Sequence, residues 1–168
     1  MRTPSSLLPP DLIALIEAGI SVIVSSADAA LRPSIMRAVG SAITPDGSTV
    51  TVYLARRQSR QLLQDLSTSG RIAVVFTQPR SHRTVQVKSS HVRMRPADTR
   101  DLPVLQRYLA NMEREIQSVG FDVAFTRQML SFDRDDVVAI SFEPTEAFDQ
   151  TPGPKAGGRI DTSSQGPA

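Results

Sequence analysis

Apolar positions recur along this chain in two rhythms, and together they predict its elements. Leu12, Ile13, Leu15 and Ile16 form one helical stripe over residues 11–17, after Pro9-Pro10 and before Gly19, which suits a left-handed C-terminal cap. Ile20, Val22 and Val24 then alternate as in a strand, and a longer strand is predicted over 34–44. Thr44-Pro45-Asp46-Gly47-Ser48 supplies turn residues ahead of Val50, Val52 and Leu54, so the two flanking strands are expected to form a hairpin. Ser59 is the expected N-cap of a helix carrying Leu62, Leu63 and Leu66 and closed by Gly70, and 72–76 reads as a buried strand.

Residues 83–95 read as one long strand whose apolar parity shifts from Val85 and Val87 to Val92 and Met94, which predicts a bulge near Ser89-Ser90. The longest helix is expected over 102–119, where Leu102, Leu105, Leu109, Met112, Ile116 and Val119 recur at gaps of three and four before Gly120. A short helix over 123–130 and a last strand over 137–142, with Val138, Ile140 and Phe142 inward, complete the pattern. Six strands joined by hairpins, with three or four helices, give a mainly β fold with peripheral helices, a six-stranded antiparallel barrel or curled sheet. A doubly wound nucleotide fold is disfavoured, because 20–54 holds three consecutive strands without room for a crossover helix. The domain is expected to span 1–150; from 151 to 168 the chain holds four Gly and three Pro and is expected to form no core of its own, with 160–168 dispensable.

Composition narrows the chemistry. With 168 residues, 18.3 kDa and 40% hydrophobic content, the chain suits one core. No Cys is present, so disulfides, thiolate metal sites and Cys nucleophiles are excluded, and with two His no metal site is expected. Basic and acidic residues nearly balance at a net charge of +2, and few aromatic residues are available for base stacking, so a nucleic-acid partner is not expected. No export signal opens the sequence and no apolar run approaches membrane-spanning length, so a cytoplasmic protein without a membrane partner is expected.

Phosphate-loop, Gly-x-Gly-x-x-Gly, Gly-x-Ser-x-Gly, Ser-x-x-Lys and His-Glu-x-x-His signatures are all absent. Binding features remain. On the second strand Met36, Ala38, Gly40 and Ala42 make a face small enough for a flat group or another backbone to approach. On its other face Arg37 interrupts an apolar row and calls for an anionic partner, either a carboxylate of the chain or a ligand. Arg56-Arg57-Gln58-Ser59-Arg60-Gln61 runs into a helix N-terminus, an arrangement that serves as a phosphate site or as an ordinary solvated first turn. Thr84, Gln86 and Lys88 share the strand face opposite Val85 and Val87, and either meet water or line a cleft. His91 reads as a surface residue.

In order and spacing these segments resemble the pyridoxamine 5′-phosphate oxidase-like, FMN-binding split β-barrels. The resemblance covers about residues 9–152. It rests on Arg32-Pro33-Ser34-Ile35-Met36-Arg37, on Val52-Tyr53-Leu54 followed by Ser59-Arg60-Gln61, on the strand 71–76, and on Arg83-Thr84-Val85-Gln86-Val87-Lys88. Phe148-Asp149-Gln150-Thr151-Pro152-Gly153-Pro154 also looks like the end of small members of that superfamily. It implies a six-stranded antiparallel split β-barrel, a homodimer and FMN at the dimer interface. Arg37 and the Ser59-Arg60-Gln61 stretch would hold the phosphate, with Gln61 standing where the family has Lys; Tyr53, Thr84 and Gln86 would meet the ring or ribityl chain, and Lys88 on the same strand is a further cofactor-binding candidate. The family's C-terminal Arg-x-His substrate motif is absent, since Arg159 has no such His, so the resemblance implies flavin-dependent redox chemistry on some other small molecule than pyridoxamine phosphate. Two other readings stay open: a flavin-storage or ligand-sensing barrel without catalysis, and a haem-binding barrel with His82 or His91 as axial ligand.

Overall fold

In the computed structural model, residues 7–160 are described. Helix α1 (Pro10–Glu17) starts on a proline, whose missing N–H costs nothing at that position, and stops before Gly19 at φ +68°. Strand β1 (Ser21–Ala27) follows, then β2 (Pro33–Arg37), β3 (Gly40–Ile43) and β4 (Val50–Ala55). The expected hairpin joins β3 to β4, with Gly47 at φ +70° in its turn. Helix α2 (Arg60–Ser69), closed by Gly70 at φ +68°, leads to β5 (Ile72–Thr77), β6 (Thr84–Ser89) and β7 (Arg93–Pro96). Helices α3 (Leu102–Ser118) and α4 (Val123–Met129) precede β8 (Val137–Phe142), β9 (Glu146–Asp149) and β10 (Gly158–Arg159).

The strands form two antiparallel sheets, one in the order β10-β9-β6-β5-β1-β2 and one in the order β3-β4-β8-β7. Mainly β architecture with peripheral helices is therefore present, as a split barrel. The core lies between the sheets, where Val22, Val24, Val74, Phe76, Val85 and Val87 of the first meet Val50, Val52, Leu54, Ile140 and Phe142 of the second. Leu62 and Leu66 of α2 and Tyr108 and Met112 of α3 close it.

Two predicted strands are divided in the structure. The 34–44 strand bends between consecutive residues: Ala38 N donates to Val22 O in the first sheet, and Val39 N donates to Tyr53 O in the second. Residues 83–95 divide where a bulge was expected, and β6 and β7 fall into different sheets. Closing a barrel with short strands requires such corners, and local alternation shows a parity change without showing that the partner strand changes too.

The small face around Gly40 admits another part of the chain. A Cβ on Gly40 would lie 2.6 Å from Leu105 Cδ2 and 3.2 Å from Tyr53 Cδ2, so glycine lets α3 pack on the back of the second sheet. A satellite cluster of Val39, Tyr53, Leu105, Val137 and Ala139 fills that contact, which is why β8 is buried on both faces. In α3 the deeply buried positions are Leu105, Tyr108 and Met112, whereas Val119 is exposed. The chain after residue 150 forms no core of its own but folds back as β10 beside β9, and Ile160, expected to be dispensable, packs against the main core and donates its N–H to Ala147 O. Residues 161–168 of the predicted tail lie outside the described residues.

Candidate functional site

The outer face of the six-stranded sheet carries the polar side chains that alternation puts opposite the core. Register builds it in rows. Arg37, Ile23, Val75, Gln86 and Phe148 are successive cross-strand neighbours, as are Ile35, Ser25, Ala73, Lys88 and Glu146; Ser21, Thr77 and Thr84 form a third, shorter row. Thr84, Gln86 and Lys88 thus share one face, as expected, with Arg37 at the far side of it. Strand β2 is an edge of this sheet, and Ile35 on it is 65% exposed.

Arg37 is the last residue of β2, immediately before the bend into the second sheet. It is half-buried, and its Nη1 donates to Ser21 Oγ at 2.8 Å. Among the described residues it has no carboxylate partner, in contrast with the ion pairs that Arg32, Arg57, Arg80, Arg83, Arg95 and Arg107 make. On the third row Thr84 Oγ1 donates to His82 O at 2.9 Å and stands 3.1 Å from Thr77 Oγ1, so Ser21, Thr77 and Thr84 make a hydroxyl strip running from Arg37 toward β6.

The helix expected to hold an anion begins close to this bend. Tyr53 pairs with Gly40, so β4 ends opposite the Ala38–Val39 bend and the four-residue loop 56–59 starts there. Ser59 occupies the N-cap position of α2, yet its side chain makes no capping bond; the hydroxyl is buried and without a partner among the described residues. A buried unpaired hydroxyl at the positive end of a helix is costly unless something accepts from it. Arg60 is the exposed first residue of α2. Gln61, one residue on, has turned its amide to Asp65 Oδ1 at 2.9 Å, and Ser34 Oγ donates to the other oxygen of that buried carboxylate at 2.6 Å.

Tyr53 lies elsewhere. It is buried in the second sheet beneath α3 and its Oη donates to Asp101 Oδ1 at 2.9 Å, so its hydroxyl is committed to the fold. Arg95 grips the same carboxylate with two N–H groups at 2.7 and 2.8 Å, and Asp98 N adds a fourth donor at 2.8 Å. The Arg95 hydrogen bonds hold the Asp101 carboxyl below the usual carboxylate value, and burial with the adjacent carboxylate pushes the Tyr53 hydroxyl well above the usual phenol. The structure thus brings Arg37, Thr84 and Gln86 onto one face, sets Ser59, Arg60 and Gln61 beside the bend, and places Lys88 at the other end of β6 and Tyr53 behind the second sheet.

Sequence reasoning passed over Ser21, Asp65, Asp101 and Tyr108. Tyr108 is fully buried beside the backbone of Val22, and it feels the charge of Arg37; burial raises its pKa. Its spacing from Leu105 and Met112 placed it on the apolar stripe of α3. His82 and His91 are both exposed, and His82 occupies a turn at φ +58°.

No protein-family profile and no curated protein sequence matches this chain. Solved structures do resemble it. A candidate pyridoxamine 5′-phosphate oxidase of Lactobacillus delbrueckii superposes with a TM-score of 0.55 at 13% identity, covering 88% of this chain and 99% of its own. The fold is the pyridoxamine 5′-phosphate oxidase-like split barrel. An F420 reductase shares it at a TM-score of 0.57, 16% identity and coverage of 83% and 98%, and HupZ of Group A Streptococcus at 0.52, 14% and 89% and 99%. At these identities the split-barrel fold is what they have in common with this chain. No helix among the described residues is long and apolar enough to cross a membrane.

Proposed function

We propose that this split barrel binds FMN on the outer face of its six-stranded sheet, with the phosphate between Arg37 and the first turn of α2, and serves a flavin-dependent oxidoreductase reaction on a small molecule. The observation that carries this reading is Arg37, a half-buried guanidinium with a serine hydroxyl as its partner and no carboxylate among the described residues. The buried, unbonded hydroxyl of Ser59 fits the same ligand, because a phosphate oxygen would accept the hydrogen that nothing in the chain accepts. Arg60, exposed at the same turn, would add a second guanidinium, and Gln61 would stay with Asp65.

Thr84 and Gln86 would then offer hydroxyl and amide to the polar edge or ribityl chain of the flavin, beside the apolar surface of Ile23 and Val75. When bound, the flavin would supply the electron transfer; the chain's residues would hold its phosphate, orient its ring and keep water from its inner side. A second copy would cover the β1–β2 part of this face, where Ile35 stands exposed near half-buried Ile23, and so enclose the ligand. The likeness to the Lactobacillus delbrueckii protein and to the F420 reductase supports the class of chemistry.

The test is the absorption spectrum of the purified protein, followed by titration with FMN and riboflavin. A flavin double band, or FMN bound more tightly than riboflavin with the preference lost in Arg37→Ala, supports the reading. Equal affinity for both ligands in the wild type removes the phosphate site, and a Soret band transfers the protein to haem. Light scattering at micromolar concentration is expected to give about twice the chain mass, and Ile35→Glu to halve it.

A further inference from the structure

At the opposite end of the outer face from Arg37 lies a concavity of about 450 Å³, whose lining includes Ser25, Arg71, Ile72, Ala73, Lys88 and the carboxylate of Glu146. Lys88 is four residues beyond Thr84 on β6, hence about 13 Å along the strand from the hydroxyl strip. Its two cations lack the partners that such side chains ordinarily find. Glu146 is the direct cross-strand neighbour of Lys88, but its carboxylate is held by Arg159 at 3.4 Å; the Lys88 ammonium instead stands 4.7 Å from the centre of the Phe148 ring. The Arg71 guanidinium has no carboxylate partner among the described residues.

The hydroxyls of the cleft are already oriented. Ser25 Oγ donates to Ala73 O at 3.2 Å, Ser26 Oγ to Arg71 O at 2.7 Å, and Thr145 Oγ1 to Lys88 O at 3.2 Å. With those hydrogens spent on carbonyls of the cleft wall, the oxygens are left to accept. One wall is set by close backbone packing: a Cβ on Gly70 would come within 2.6 Å of Ser90 O, so the α2–β5 turn presses against the end of β6.

We propose that this cleft is a separate binding site for a small organic acid, a carboxylate or phosphate ester that also carries O–H or N–H donors. Arg71 and Lys88 take the anionic group, and the serine and threonine oxygens accept from the donors. The inference does not rest on the flavin reading, since neither cation belongs to the Arg37 and Ser59 region.

Titration of the full chain, as purified, with malate, succinate and glycerol 3-phosphate tests it, followed through backbone amide NMR shifts and repeated at high salt. Malate or glycerol 3-phosphate is expected to shift the amides of Ala73, Lys88 and Thr145, and the tighter of the two identifies the anionic group. Succinate, which lacks the hydroxyl, is expected to bind more weakly than malate. Arg71→Gln and Lys88→Gln should each weaken binding about tenfold, the effect of losing one charged hydrogen bond, while Arg114→Gln, in a different cleft, leaves it unchanged. Absence of cleft shifts at millimolar ligand, shifts that persist when both cations are replaced in a variant that still melts like the wild type, or an equal loss in Arg114→Gln would each overturn the proposal.

Discussion

Tyr53 and Asp101 are joined by a 2.9 Å hydrogen bond from the phenol to the carboxylate, and that bond fastens the second sheet to the start of α3. The carboxylate is buried and also accepts from Arg95 twice and from Asp98 N, so it is satisfied from every side the chain presents. Tyr53→Phe should cost about 1.5–3 kcal/mol of unfolding free energy, the range for a hydrogen bond to a charged group, with little change in the cooperativity of the transition. Urea denaturation measures it, and a cost near zero would mean that water replaces the phenol.

Acid dependence follows from the same carboxylate. Because the Asp101 carboxyl titrates below its unfolded value of 3.8, its contribution is present above that value and is lost as the pH falls through the lower folded one. The stability difference between the wild type and Asp101→Asn should be constant from about pH 7 to pH 5 and shrink below about pH 4. Arg95 is 46% exposed, so water screens part of the pair and the difference should be modest. A difference independent of pH would show that shape, rather than charge, matters at this position.

Both tyrosines of the chain have hydroxyls pushed above the ordinary value of 10, Tyr53 by burial and the Asp101 bond, Tyr108 by burial. Each folded pKa is raised, so the stabilisation is complete below the unfolded value and declines as the pH rises through 10 toward the folded one. Ultraviolet titration of the native protein should show no phenolate absorbance near pH 10, with phenolate appearing together with alkaline unfolding. Normal titration of either tyrosine in the folded protein would place its hydroxyl in water.

For FMN, Arg60→Ala is expected to cost about 1.5–3 kcal/mol of affinity, and Arg37→Ala more, because its guanidinium is the drier of the two. Gln61→Lys, which adds a cation at the first turn of α2, is expected to change the Kd by less than about twofold, since Asp65 stands ready to take the ammonium. In an Asp65→Asn background the same lysine should tighten FMN, more at low salt than at high salt. Parallel titrations of the four proteins with FMN and riboflavin decide it; tightening by Gln61→Lys alone would show that Asp65 does not compete.

Gly40→Ala should destabilise by about 1–3 kcal/mol, as its methyl group runs into Leu105 and Tyr53. Because Leu105 offers the nearer contact, Gly40→Ala combined with Leu105→Ala should cost less than the sum of the two single changes. Additive costs would mean that backbone movement, rather than the leucine, absorbs the methyl.

Local pattern carried most of the elements: the stripes of α1, α2 and α3, the Gly19 and Gly70 caps, the Gly47 hairpin, and the shared face of Thr84, Gln86 and Lys88 follow from periods of 3.6 and 2 and from the conformational freedom of glycine. The cationic loop before α2 and the lone Arg37 were also legible, because charge in an apolar row stands out in any register. Partner choice was not. Whether Ala38 and Val39 continue one strand or belong to two sheets depends on which carbonyl each amide meets, and those carbonyls lie 16 and 14 residues away in opposite directions. The same reason separates Tyr53 from the outer face and brings Ile160 back to Ala147, whereas the bond from Gln61 to Asp65 spans one turn of α2 and is local. A side chain's period sets the face it presents; the group it meets there is decided when distant segments pack, since hydrogen-bond and packing energies depend on distances that alternation along the chain does not encode.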